Sequence, residues 1–560
     1  MTLAASFDRF ATAQRAPIVA ALVALLAALP GLFTLPPTDR DESRFAEASA
    51  QMLESGDFTN IMFQDTPRYK KPVGIYWLQA ASVEALSSVE RREIWAYRIP
   101  SLLGAMLAAA AAAWGALAFL KPREAMAAGV LLAATLVLST ESTLATTDAA
   151  LCGAVTLSLV AMGRVYMAQR GGPPATRWVG LLFWIGMAGA VLLKGPIGPM
   201  VAILTGLTLT IWERRARWLA GLTWDWGLIV FCGLVLPWAA AITVATDGGF
   251  WGVAVGGDLA PKLFGGQEGH GAPPGYFALL SPVLLFPAVL LLPAALLRGW
   301  QARAEPGVRF ALCWLIPSWI VFELVPTKLP HYTLPCFGAL AWLMAAALRQ
   351  PLGAIVRWTG AWIAAAVAIG FAVAAGLGAA VFGEPASWVW VVLVALSMAT
   401  AAACALVCMA RRQPGLAVAL TCGFGVLGHA CLVGGLAPTL NGIWLSERTA
   451  RAVTAAGSQG FSKGPTAVAG YGEPSLVFAL GAPTELGGAK GAAVAIDEGR
   501  MAVVEQRQDA AFRRAVAAGS VSARVAATVK GLDYSTGHAQ VLRLYEPIPA
   551  QPAPQASRSP

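Results

Sequence analysis

Apolar stretches recur along most of this chain, separated by short polar loops. Crossing a bilayer takes about 20 such residues. About thirteen spans can be placed, near residues 16–36, 99–120, 124–141, 146–163, 178–194, 196–212, 226–246, 275–297, 308–325, 331–348, 358–382, 387–410 and 416–437. Only Lys194-Gly195-Pro196 divides the fifth from the sixth. Two loops, 37–98 and 247–274, are too long for simple connectors. In the first, Phe45, Ala48, Met52 and Leu53 share one face of a helix over Arg44–Glu54, which Gly56 ends. Ile75–Ala85 predicts a second amphipathic helix, with Tyr76 and Trp77 suited to a membrane interface. The second long loop is rich in Gly and Pro. The pattern changes near Ala437. Short β-prone runs at Thr466–Ala469, Ala492–Ile496 and Gln540–Tyr545 alternate with helical pieces, predicting a small α/β domain over 438–546. The stretch 547–560 has the Pro/Ala/Ser/Gln composition of a disordered tail. The predicted fold is a polytopic α-helical membrane domain over 1–437 followed by that α/β domain.

Composition agrees. Of 560 residues, 57% are hydrophobic and 13% charged, with mean hydropathy +0.62. A soluble protein would carry roughly a quarter charged residues. The net charge of +9 does not point to nucleic acid, because the bases lie in loops between spans instead of forming one patch. Placing the N-terminus inside gives the cytoplasmic segments Arg9, Arg15, Lys121, Arg123, Arg164, Arg170, Arg177, Arg214, Arg215, Arg217, Arg298, Arg303, Arg309, Arg349, Arg357, Arg411 and Arg412. The short outer loops then hold Lys194, Lys262 and Lys328. This is the positive-inside asymmetry, and it places the long loops and the tail outside. The first stretch follows Arg9 and Arg15 without a convincing cleavage site, so it reads as an uncleaved anchor instead of a signal peptide. The eight cysteines lie in or beside apolar stretches without metal-site spacing, as small hydrophobes do. The chain has no Walker A or HExxH motif, which argues against an ATP-driven pump and against a zinc peptidase.

Chemistry concentrates on the predicted outer face. Asp41 and Glu42 open the first loop helix, with Arg44 three residues on and on the same side as Asp41. A carboxylate there suits a general base or a sugar ligand, although acids also favour a helix N-terminus without any further role. Lys70-Lys71-Pro72 suits a phosphate or anionic headgroups. Asp148 and Lys194 stand at span ends, where an ionisable group is either functional or snorkelling. Lys328, His331 and Tyr332 bring a cation, an imidazole and a phenol to one span end, suited to a phosphate, an acceptor or an interfacial loop. His270 lies in the Gly-rich loop, and a lone loop His is more often solvated than ligating. Glu473 reads as part of a turn.

In order, Asp41-Glu42-Ser43-Arg44-Phe45-Ala46-Glu47, Lys71-Pro72, Thr147-Asp148, Lys194-Gly195-Pro196, Gly269-His270-Gly271, Lys328-Leu329-Pro330-His331-Tyr332 and Tyr471-Gly472-Glu473-Pro474-Ser475 resemble the ArnT-like and protein O-mannosyltransferase-like glycosyltransferases of the GT-C class. The resemblance covers nearly the whole chain. It implies a bacterial inner-membrane enzyme that moves a sugar from a polyprenyl (undecaprenyl) phosphate donor to lipid A or another envelope acceptor on the periplasmic face. For the ArnT-like branch the sugar is 4-amino-4-deoxy-L-arabinose. It implies Asp41 as the catalytic residue and Arg44, Lys71, Lys194, Lys328 and Tyr332 around the donor phosphate. Glu42, Lys70, Asp148, His270 and His331 would meet sugar or acceptor. One departure stands out: many ArnT-like members carry Glu before the Lys-Pro pair and can share a metal between it and a loop His. Lys70 cannot replace a carboxylate, so no metal cofactor is expected despite His270. The alternative, a lipid or small-molecule transporter or flippase, would favour ionisable groups near the bilayer midplane and repeated halves. The chain's charges fall at span ends and no repeat is evident.

Overall fold

The structure, a computed structural model, describes residues 10–265, 270–457 and 464–548. Each predicted apolar stretch is helical over most of its length. Nine of the described helices are long and apolar enough to cross a membrane, and a bent pair would make a tenth. The remaining stretches break or shorten for visible reasons. Stretch 275–297 becomes Tyr276–Leu284 and Ala288–Gln301, bent by 114°, around Pro282 and Pro287, where proline removes helix hydrogen bonds. Stretch 331–348 starts as a 3-10 turn, Pro330–Cys336, and continues as the helix Phe337–Ala347. Stretch 124–141 divides into Pro122–Ala133 and Leu136–Glu141, while 196–212 forms Ile197–Glu213. This is a multi-pass membrane protein.

Small residues let the spans pack closely. Where Ile94–Ala116 crosses Asp148–Ala168, a Cβ on Gly104 would lie 2.4 Å from the Ala150 Cα, and one on Gly153 would lie 2.5 Å from the Gly104 carbonyl oxygen. Neither position has room for a side chain, so this crossing fixes where Asp148 stands.

The first long loop holds the helices Asp41–Ser55 and Gly74–Leu86, close to the predicted ones. Gly56, at φ +72°, closes the first helix in the left-handed conformation that glycine adopts freely. Gly74–Leu86 buries Ile75, Tyr76, Ala80 and Val83 and exposes Trp77, Leu78 and Leu86, an apolar outer face of the kind an interface accommodates. Between the helices, β1 (Met62–Phe63) and β2 (Thr66–Pro67) pair antiparallel.

The C-terminal part carries one five-stranded sheet. Its strands are β3 (Ala467–Ala469), β4 (Glu485–Gly487), β5 (Ala502–Glu505), β6 (Ser522–Asp533) and β7 (His538–Ile548), in the order β4-β3-β5-β7-β6. β3 runs parallel to both β4 and β5, while β7 is antiparallel to β5 and β6. Ala492–Ile496, read from sequence as β-prone, lies inside the helix Ala489–Asp497. Ala489, Ala492, Ala493 and Ile496 all face inward, which is helical spacing. Most of the tail predicted to be disordered, 549–560, lies outside the described residues, as does Gly269.

Candidate active site

The loop helix Asp41–Ser55 sets the site. Arg40, just before it, has φ +64°, a conformation costing a non-glycine residue about 1–3 kcal/mol unless its surroundings hold it. The turn leaves the Asp41 side chain 63% exposed, with an oxygen 3.8 Å from the Arg68 guanidinium. Arg68 is buried, and its guanidinium lies 4.7 Å from the centre of the Phe45 ring. The charge of Asp41 reaches both Tyr76 and Tyr332.

Lys71 lies beside this pair. Its ammonium is 3.0 Å from one Asp258 oxygen, and Lys262 holds the other at 2.6 Å. Asp258 is presented by a π-helical segment, Gly252–Leu259, of the second long loop. Burial lowers the Lys71 pKa to about 8, and repulsion from Lys262 and Lys194 adds to it against the pull of Asp258. Burial raises the pKa of Asp258, but Lys71 and Lys262 outweigh it and hold the carboxyl below the usual range.

A second group adjoins. Lys194 ends the helix Arg177–Lys194 and pairs with Asp148 at 2.5 Å. Its ammonium also sits 4.8 Å from the centre of the Tyr332 ring. His331 bridges two carboxylates, with Nδ1 3.1 Å from Glu141 and Nε2 3.6 Å from Asp148. Thr146 donates to the other Glu141 oxygen at 3.0 Å. Because Lys194 acts electrostatically on Lys71, the two groups form one site of alternating charge. Its cations are two to a carboxylate around Asp258, an arrangement that a phosphate can enter by displacing one carboxylate contact.

Not every residue singled out in the sequence faces this site. Glu42 is 1% exposed and Arg98 is fully buried. The Arg98 guanidinium donates to both Glu42 oxygens, at 2.7 and 3.0 Å, and to the carbonyl of Leu35 at 2.6 Å. Glu42 also accepts the backbone amides of Thr38 and Ala145, each at 2.8 Å. Glu42 is therefore a strut joining the first span, the loop helix and the 141–148 segment. Lys328 is also turned inward. It is 3% exposed, and its ammonium donates to the carbonyl oxygens of Glu323, at 2.9 Å, and Val325. There it caps the helix Pro306–Leu324, where a cation is favoured. His270 is exposed, and its carbonyl takes the Lys328 amide at 2.9 Å. Lys70 is half-buried next to Lys71. Arg44, also half-buried, acts electrostatically on Glu473 of the C-terminal domain.

Sequence reasoning passed over Arg68, Asp258, Lys262 and Glu141 as site residues. Glu141 carried a readable signal, an acid ending a predicted span. Asp258 and Lys262 sit i,i+4 in a loop whose fold only the structure supplies.

The family of dolichyl-phosphate-mannose-protein mannosyltransferases matches residues 18–249. The undecaprenyl phosphate-alpha-4-amino-4-deoxy-L-arabinose arabinosyl transferase of Pseudomonas paraeruginosa is 31% identical over 335 residues, 58% of this chain and 58% of that protein. Its counterpart in Yersinia enterocolitica is 31% identical over 340 residues, again 58% of each. The chain thus spans 58% of the length of the curated relatives it matches. The crystal structure of ArnT from Cupriavidus metallidurans bound to undecaprenyl phosphate superposes with a TM-score of 0.76 over 94% of this chain and 97% of that one, at 20% identity. The chain has the fold of that protein. A superposition over 94% of the chain takes in most of the C-terminal domain as well. The apo form of the same crystal protein gives a TM-score of 0.73 over the same shares.

Proposed function

We propose that the chain is an inner-membrane glycosyltransferase that uses a polyprenyl-phosphate sugar. Its donor is undecaprenyl phosphate carrying an amino sugar such as 4-amino-4-deoxy-L-arabinose, and its acceptor is lipid A or another envelope molecule on the periplasmic face. The N-terminus is cytoplasmic, and the site and C-terminal domain are periplasmic, as the arginine distribution favours. The observation that carries the reading is the convergence of the Asp41 carboxylate with Arg68, Lys71, Lys262 and Lys194 at the ends of the spans.

In the reaction the acceptor oxygen forms a bond to the anomeric carbon while the bond from that carbon to the phosphate oxygen breaks. The electron pair leaves with the phosphate, where Lys71, Lys262 and Lys194 stabilise the growing charge. A hydroxyl acceptor gives its proton to Asp41. A phosphate acceptor is already ionised, and Asp41 with Arg68 then acts by positioning. Tyr332, Asp148 and His331 line the sugar side, and Arg44 lies one helical turn beyond Asp41. The proposed chemistry assigns no role to a metal. Lys70 offers an ammonium where a shared ion would need a carboxylate.

The test is reconstituted protein given the lipid-linked amino sugar and lipid A. Undecaprenyl phosphate should be released and lipid A should gain the mass of one sugar. Release without that gain would redirect the acceptor, and no release at all would overturn the transferase reading.

The pKa of Lys71 gives a direction for pH. The side chain is a cation below about 8 and neutral above it, whereas the donor is a phosphodiester that does not titrate in this range. Donor affinity is expected to fall as pH rises from about 7 to about 9, by up to about tenfold per unit above 8. Lys71→Arg should keep its charge and flatten that profile. Titrations of donor binding from pH 6.5 to 9.5 check this, and identical profiles for the two proteins would remove Lys71 from the phosphate site.

A further inference from the structure

The C-terminal domain touches the chain immediately before Asp41. The Ser475 hydroxyl donates to the Asp39 carboxylate, and the Asp39 amide donates to the Tyr534 hydroxyl at 2.6 Å. Glu473 lies 3.7 Å from the Arg40 guanidinium. All three partners come from turns or ends of elements in the C-terminal domain: Glu473 and Ser475 begin the helix Pro474–Leu480, and Tyr534 sits in the β6–β7 turn. Arg40, at φ +64°, lies between the two residues that matter: Asp39, held by the domain, and Asp41, in the site.

The docking has an apolar anchor of its own. Phe478 is fully buried among Ala46, Ala50, Val83 and Tyr97, with its ring edge-on to Tyr97 at 5.3 Å. A second polar tie runs from the Gln64 side chain to the carbonyl oxygens of Ala482 and Thr484, at 3.0 and 2.6 Å. The domain would therefore stay in place if the contacts at Asp39 were removed. Those contacts are not needed to attach it, and their position points to another use. Local chemistry agrees, since burial, with Asp533 nearby, raises the Asp39 pKa to about 6. A carboxyl held in that setting depends on its hydrogen-bond donors.

We propose that the C-terminal domain orients the catalytic carboxylate: Ser475 and Tyr534 are positioning residues that hold the Asp39–Arg40 turn and thereby aim Asp41 at Arg68 and the cation cluster. The proposal rests on the transferase reading above. It assigns the Tyr471–Ser475 motif a part in turnover, although none of its residues meets substrate.

Tyr534→Phe and Ser475→Ala each remove one hydroxyl and leave Phe478 and Gln64 untouched. In the full-length protein, each is expected to lower kcat about fivefold or more, the size of one hydrogen bond, with donor KM within twofold of wild type. Ser475→Thr, which keeps the hydroxyl, should restore kcat. Hydrogen exchange at the amides of residues 36–44 should speed up in both hydroxyl-deleted variants, while exchange around Phe478 stays the same. Unchanged kcat, or unchanged exchange over 36–44, would overturn the proposal. A wild-type protein that transfers no sugar fails the transferase reading instead, and the exchange rates would still decide whether the turn is held.

Discussion

Asp41→Asn is expected to cut sugar transfer by about 10²–10⁴-fold, the usual contribution of a positioned general base, while the protein folds as before. The side chain is 63% exposed and meets Arg68 at only 3.8 Å, so little packing or ion-pair energy is lost with its charge. Asparagine has nearly the same shape, but it cannot take a proton and presents no anion to Arg68. The size of the loss depends on the acceptor. With a hydroxyl acceptor the base is needed outright, and the loss should approach the upper limit. With a phosphate acceptor only positioning is lost, and the loss should approach the lower. Turnover of the purified variant on each acceptor measures this, alongside donor binding, which should hold steady because Lys71, Lys194 and Lys262 are untouched. Near-normal turnover on both acceptors would remove Asp41 from the catalytic role.

Arg98→Met is expected to destabilise the membrane domain by about 3–5 kcal/mol, the cost of leaving a buried charge without its partner. Glu42 and Arg98 exclude water almost completely, so added salt should not rescue the variant. A second substitution should. In Glu42→Gln/Arg98→Met no net charge is stranded, and the amide oxygen can still accept from Ala145 or Thr38. Part of the loss should return, though not the ties from Arg98 to the carbonyls of Leu35 and Pro36. Thermal unfolding of the detergent-purified proteins gives the comparison. An Arg98→Met protein that melts with wild type would show the pair to contribute nothing, and a double variant no better than the single would show that charge burial is not the cause.

The sequence made the membrane fold legible because apolar length and arginine placement act locally and repeat many times. It was weakest at proline-rich positions such as Pro282, Pro287 and Pro330, where the hydropathy stays high but the helix bends or tightens. The site was legible as a set of residue types at span ends. Asp41, Lys71, Asp148, Lys194, His331 and Tyr332 do come together in the structure. Sequence could not tell Glu42 from Asp41. They are neighbours in one acidic pair, and the step of about 100° between adjacent helix positions sends Asp41 to the site and Glu42 to Arg98, 56 residues away. Nor could it show that Lys328 spends its charge on two carbonyls, or that Asp258 and Lys262 arrive from a distant loop, because those facts depend on tertiary placement. Ala492–Ile496 misled for a simpler reason: a run of Ala, Val and Ile fits strand or helix alike until its buried face is known.

Ser475 stands 436 positions after the Asp39 carboxylate it binds. A ribosome adding about 5–20 residues per second needs roughly 20–90 s to cover that distance. During that interval the loop helix bearing Asp41 has already been made, and every span after the first follows it, yet the turn before it still lacks its last two partners. A chain released just before Tyr534 would carry every charged residue of the site and still lack one of the ties that hold that turn. The tie through Tyr534 is thus made only after every charged residue of the site has been synthesised.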